Sequence, residues 1–266
     1  MAKTDYPTQS TSYIGRIRHR RNGAKPAKWA TNAATKSPTV ANTVEPASRP
    51  AECEANAVRK IVRLVARTGC RTHILHVSSG LSVDVLRRAK AEGLPVSAET
   101  CPHYLTLDCD HIPDNATAVK CCPPIRDLHE QDALWAGLAD GTLDGVVTDH
   151  SPASGGVSSL QVGFRAVLTG AMRRGLSLAD VVRWMSCNTA RLVGLDDRGD
   201  ITPVLRADLA IIRPYERFVV DATALESRNP ICACDGMTLN GVVTRTFVAG
   251  RDALSGVREG NLIVRP

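Results

Sequence analysis

Three things are scarce in this 266-residue chain: aromatic side chains, long apolar runs and, in its first segment, acidic groups. Phe, Trp and Tyr make up only 4% of the residues, and the densest basic run near the start, residues 16–28, carries no interleaved aromatics and no recognisable nucleic-acid module. No nucleic-acid partner is expected. No stretch approaches the roughly 18 to 20 consecutive apolar residues of a membrane-spanning helix, and the N-terminus lacks the apolar core of a secretory signal. Membrane insertion and Sec export are therefore not expected either. The shortage of acids is local: residues 1–44 hold eight basic groups against Asp5 alone, so the net charge of +6 belongs to this arm and the rest is close to neutral.

Nine cysteines, an odd number without regular spacing, do not make a disulfide framework, and a reducing cytoplasm is the expected compartment. Cys121 and Cys122 are adjacent, while Cys232 and Cys234 flank Ala233. Neither pair has the two-residue spacing of a zinc knuckle or redox motif, and both read as small buried thiols.

What is present is enough to bury a core, since 43% of the residues are hydrophobic. The first 47 residues show no sustained apolar period and are expected to be poorly ordered; a transit peptide, a foreign reading frame or a truncation junction would each fit. After Pro50 the texture changes. Ala57, Ile61, Leu64 and Val65 recur at helical spacing before a stop at Gly69, and His73 to Val77 reads as a short strand. A helix from Val83 and a strand from Pro95 to Glu99 follow, then a strand at Ala118 to Cys121 and a helix opened by Asp127 and Glu130 as a capping box. Gly145 to Thr148 is the next strand, and helices follow around Val167 and after Ser177. This alternation predicts a parallel α/β sheet. From about Gly199 short strands at Asp208–Ile212, Arg217–Val220 and Val242–Ala249 predict a small β module, and no internal repeat is visible.

Polar, metal-capable groups stand where these strands end: His76, His103 and Asp149. A lone histidine is more often structural, and Asp149-His150 could be a plain strand cap. All three at successive strand ends of a parallel fold mark the edge where active sites are built. Neutral imidazoles and a carboxylate suit Zn²⁺ or a similar divalent ion.

The segments His73-Ile-Leu-His76-Val-Ser-Ser79, Glu99-Thr-Cys-Pro-His103, Lys120-Cys-Cys-Pro-Pro-Ile-Arg126 and Thr148-Asp149-His150-Ser151-Pro152 resemble, in order and spacing, those of the cyclic amidohydrolases. This family includes dihydroorotases, hydantoinases and allantoinases, and the set resembles the allantoinase branch most. The resemblance runs from about Ser48 to Val248. It implies the C-terminal half of a (β/α)₈ barrel at 48–198, after a basic arm at 1–47, and part of a flanking β-sandwich at 199–266. It also implies that His76 and His103 bind one metal of a two-zinc centre. Asp149 would bind the other and shuttle a proton from the attacking hydroxide to the leaving ring nitrogen. Cys122, Gly155 and Gly156 would meet a small cyclic ureide through their backbone, although a tight turn accounts for the two glycines equally well. A homo-oligomer is expected.

Two departures stand against this set. The family's His-x-His pair and carboxylated lysine would precede the matching region, and the loop from Pro152 to Gly155 is short. The chain is thus expected to lack the N-terminal half of the barrel and to be impaired alone. The alternatives are a dihydroorotase or hydantoinase, or a non-catalytic binding protein on the same fold.

Overall fold

A computed structural model describes residues 47–113, 116–151 and 156–256, together with 260 and 263, and these all fall in one compact unit. The arm expected to be poorly ordered, apart from residue 47, and Gly155 lie outside the described residues.

Helix α1 spans Ala51–Thr68, and strand β1 follows at Thr72–Ile74. Glu52 and Glu54 in the first turn of α1 and Arg67 in the last oppose the helix dipole, while Ala55, Val58 and Val65 are its buried face. Gly69 ends it at φ 68, donating its N–H to Val65 O, a conformation that a Cβ would strain. Helix α2, Gly80–Ala91, is capped by Ser79 and leads to β2, Val96–Thr100. Helix α3, Leu128–Ala139, then leads to β3, Gly145–Val146. The strands form a parallel sheet in the order β1-β2-β3, with Thr72 opposite Val96 and Glu99 opposite Gly145. Two crossover helices between parallel strands are what the alternation predicted.

Val83 and Leu86 of α2, Leu134 and Leu138 of α3, and Ala98 and Val146 of the sheet bury the main core. Trp135 and Trp184 meet edge to face with centroids 6.2 Å apart. Helix α4, Gly163–Arg173, lies so close to α3 that a Cβ on Gly170 would fall 2.6 Å from Trp135 Cζ2. Ser177 and Asp180 form a reciprocal capping box on α5, Leu178–Val182. A π-turn at Arg183–Cys187 joins α5 to α6, Asn188–Leu192.

Two local expectations change. Ala118 to Cys121 is not a strand but overlaps a 3₁₀ turn at Thr117–Val119, because Val119 and Lys120 donate to Ala116 and Thr117 instead of to a neighbouring strand. The box at Asp127 is half formed: Asp127 accepts from Glu130 N, but the Glu130 carboxylate reaches across to Gly80 N.

The β module is antiparallel, with β4 at Leu209–Val219, β5 at Thr238–Val248 and β6 at Arg251–Asp252. The two strands expected at 208–212 and 217–220 are one strand with an irregularity between Arg213 and Arg217. It packs on α4, where Thr169 Oγ1 accepts from Asn240 N at 2.8 Å and Val162 and Ala166 join Val220, Ala222 and Leu239 in a second core. Among the described residues no helix is long and apolar enough to cross a membrane.

Candidate metal centre

His76 follows β1, His103 follows β2 and Asp149 follows β3. The parallel register sets all three at the same edge of the sheet. His76 and Asp149 have φ values of 39° and 42°, a left-handed conformation that costs a non-glycine residue energy and persists only where the surroundings enforce it.

Around His76 that enforcement is visible. Val77 N donates to Glu99 O, and Val77 O accepts from Thr100 Oγ1, both at 2.8 Å. Just beyond, Glu54 on α1 accepts from the backbone N–H and the hydroxyl of both Ser78 and Ser79, at 2.5 to 3.2 Å. Arg126 Nε donates to Ser78 Oγ at 3.1 Å and its NH1 to Arg49 O at 3.2 Å, so the turn after β1 is tied both to α1 and to the segment that leads into it. Around Asp149, His150 Nδ1 accepts from Ser159 N at 3.2 Å and Leu160 N at 3.3 Å, and Ser159 Oγ donates to Thr148 O at 2.6 Å. The returning segment is therefore fastened on both sides of Asp149.

His103 is 3% exposed, and neither of its ring nitrogens has a hydrogen-bond partner; His76 Nδ1 is also buried without one. Burial first, and nearby His76 second, push the His103 pKa down to about 3, so the ring is neutral and keeps a lone pair to offer. One potential ligand atom each of Cys101, His103 and Asp149 lie within 4.8 Å of one another, with Asp149 on the open side. Burial, and then Asp149 and Glu99, hold the Cys101 thiol protonated. Buried imidazole nitrogens with no partner are costly unless something accepts their lone pairs. Together with an adjacent carboxylate they fit a divalent cation, and the neutral Cys101 fits such a site less well than the two histidines.

Cys101 is the member that reading by strand ends passed over, although it stands two residues before His103 in the same motif. Glu54 was passed over too, because a glutamate in the first turn of a helix reads as a dipole partner. His76 and Cys122 line a cavity of about 490 Å³ with Ala57, Val58 and Ile61 of α1 and His73 and Ile74 of β1. Gly156 sits at φ 130°, a Cβ there would come 2.6 Å from Ser151 Oγ, and its N–H donates to Thr117 O. Its glycine character is thus used by the turn, and that N–H is already committed.

A sequence profile described as the Amidohydrolase family matches residues 38–252. The allantoinase of Streptomyces avermitilis is 51% identical over 192 residues, 68% of this chain and 43% of that protein. The allantoinase of Saccharomyces cerevisiae is 36% identical over 195 residues, 67% of this chain and 42% of that one. Among solved structures, the D-hydantoinase of a Bacillus sp. matches with a TM-score of 0.75 at 25% identity, covering 84% of this chain and 53% of its own. The L-hydantoinase of Arthrobacter aurescens matches at 0.73 and 28% identity, covering 89% and 55%. The chain spans less than half the length of these two allantoinases.

Proposed function

The chain belongs to the amidohydrolase family and has the C-terminal half of that family's barrel with part of its flanking β-sandwich, and from this premise we propose that it supplies part of the active centre of an allantoinase. The reaction is hydrolysis of the hydantoin ring amide of allantoin to allantoate. The observation that carries the reading is at the sheet edge, where ligand atoms of Cys101, His103 and Asp149 lie within 4.8 Å of one another and neither ring nitrogen of His103 has a partner, while His76, with an unpartnered Nδ1 of its own, follows the neighbouring strand outside that group.

When bound there, divalent cations, zinc by the nitrogen and oxygen character of the donors, supply Lewis acidity and a water acidic enough to attack an amide at neutral pH. His76 and His103 hold, and Asp149 takes the proton of the attacking water and returns it to the leaving ring nitrogen. The exposed position of Asp149 leaves room for a planar ring in front of it. Cys122, on the wall of the cavity that His76 also lines, meets that ring through its main chain. Gly155 meets the ring through its main chain in the same way, while Gly156 acts through the turn it makes. The remaining ligands come from polypeptide beyond the described residues. Support for this lies in the side of β1 that pairs with no strand among the described residues and in the apolar cavity beside it, since parallel sheets are rarely left open.

We hold to a division near residue 198 between barrel and β module, a homo-oligomeric assembly using exposed apolar groups such as Tyr215 and Val219 of β4, and a reducing cytoplasm. The hydantoinase structures favour a second reading, hydrolysis of other hydantoins or dihydropyrimidines. One experiment separates them: the chain is joined to the N-terminal segment of the Streptomyces avermitilis relative and given allantoin, hydantoin and dihydrouracil. Turnover of allantoin that Asp149→Ala lowers by several powers of ten supports the proposal. Turnover that ignores Asp149→Ala refutes it.

A further inference from the structure

Cys232 and Cys234 stand apart from the metal centre, in the turn that precedes β5, and the single residue between them marks neither a zinc nor a redox motif. The turn nevertheless brings their sulfurs together. Cys234 N donates to Cys232 Sγ at 3.4 Å, and Cys232 Sγ donates to Ser158 O at 3.5 Å. Both thiols are nearly covered, but Asp235 and Gly236, the next residues of the turn, are exposed.

We propose that Cys232 and Cys234 are a dithiol site that small disulfides of the glutathione type oxidise reversibly to an internal disulfide. Cys232 is the attacking group. The hydrogen bond from Cys234, against the opposing effects of burial and Asp235, lowers its pKa and so favours the thiolate that attacks. Cys234 is pushed the other way, mainly by giving that hydrogen bond, and acts second. In the first exchange the Cys232 thiolate forms a bond to one sulfur of the oxidant, and one glutathione thiolate leaves. In the second, Cys234 gives up its proton and attacks Cys232 Sγ, expelling the other glutathione. Two protein thiols are oxidised and one disulfide is reduced to two thiols.

The consequence reaches the sheet edge. Once oxidised, Cys232 has no S–H to give to Ser158 O. Ser158 is bonded in the chain to Ser159, whose N–H and hydroxyl fasten His150 and Thr148 on either side of Asp149. Oxidation therefore removes one tie from the segment that holds Asp149 in its left-handed conformation.

The test uses the whole chain. After incubation with oxidised glutathione at neutral pH, the protein is unfolded, alkylated, digested and weighed. The expected product is a peptide carrying both residues that is two hydrogens lighter, unalkylated and restored by dithiothreitol. Cys234→Ser should accumulate a glutathione adduct on Cys232. Cys232→Ser should slow reaction at Cys234 by about tenfold or more. Alkylation of both residues in oxidised wild type, or a lasting glutathione adduct on wild-type Cys232, overturns the proposal, and the wild-type arm alone decides it. The exposed Cys53, Cys70 and Cys122 serve as internal references for thiols that form adducts without a resolving partner.

Discussion

Replacing Glu54 by alanine should unfasten the turn that carries His76. The Glu54 side chain is 13% exposed and accepts four hydrogen bonds, from two backbone N–H groups and two hydroxyls of Ser78 and Ser79, residues that are themselves at most 1% exposed. It is also the carboxylate next to Arg126, with 3.9 Å between NH2 and Oε2. The hydroxyls can turn to other acceptors, since Ser79 Oγ already reaches Ser82 Oγ at 2.8 Å. The two N–H groups cannot. Leaving two buried donors unsatisfied, at about 1 to 3 kcal/mol each, costs about 2 to 6 kcal/mol, and a nearly buried guanidinium without its counter-charge places the loss in the upper part of that range. Glu54→Gln, which keeps one acceptor oxygen, should cost roughly half of that. Urea denaturation of the three proteins, followed by circular dichroism, measures this directly. A loss below about 1 kcal/mol for Glu54→Ala would show that the turn after β1 does not depend on α1.

Other perturbations follow from the same contacts. Gly170→Ala places a methyl 2.6 Å from Trp135 and should destabilise by about 1 to 3 kcal/mol, with a red shift of tryptophan emission if Trp135 is displaced. Ser177→Ala breaks the capping box on α5 and should cost about 1 kcal/mol in the same denaturation assay. The Asp180 carboxyl is held below its ordinary value of 3.8, first by the Ser177 hydrogen bonds. Its stabilisation is therefore complete above that value and lost as pH falls below it, so Asp180→Asn should flatten a small part of the acid transition.

The edge of the sheet was legible because it depends on local pattern. Each short apolar run ends in a polar, metal-capable residue, and in a parallel sheet such ends must share one side, so His76, His103 and Asp149 could be assigned to one edge before any coordinates were known. Cys101 was not legible in that way, since a cysteine among apolar neighbours reads as packing and only the turn at 102–106 folds it back beside His103. Glu54 was hidden for a different reason: its partners lie 24 and 25 positions away, and no periodicity reports a bond of that range. The strand expected at Ala118 to Cys121 failed because β-branched composition says nothing about whether a neighbouring strand is there to receive it. Cys232 and Cys234 were set aside on spacing alone, and the turn geometry that joins their sulfurs is a tertiary property.

Cobalt(II) titration of the chain tests most directly whether the three strand-end residues share one cation. The wild-type chain should bind with a visible d–d absorption of nitrogen and oxygen ligation, weakly and at well under two ions per chain, because three protein donors fall short of a closed site. His76→Ala, His103→Ala and Asp149→Ala should each weaken that binding by about tenfold or more. A spectrum and affinity left unchanged by all three substitutions would contradict the account.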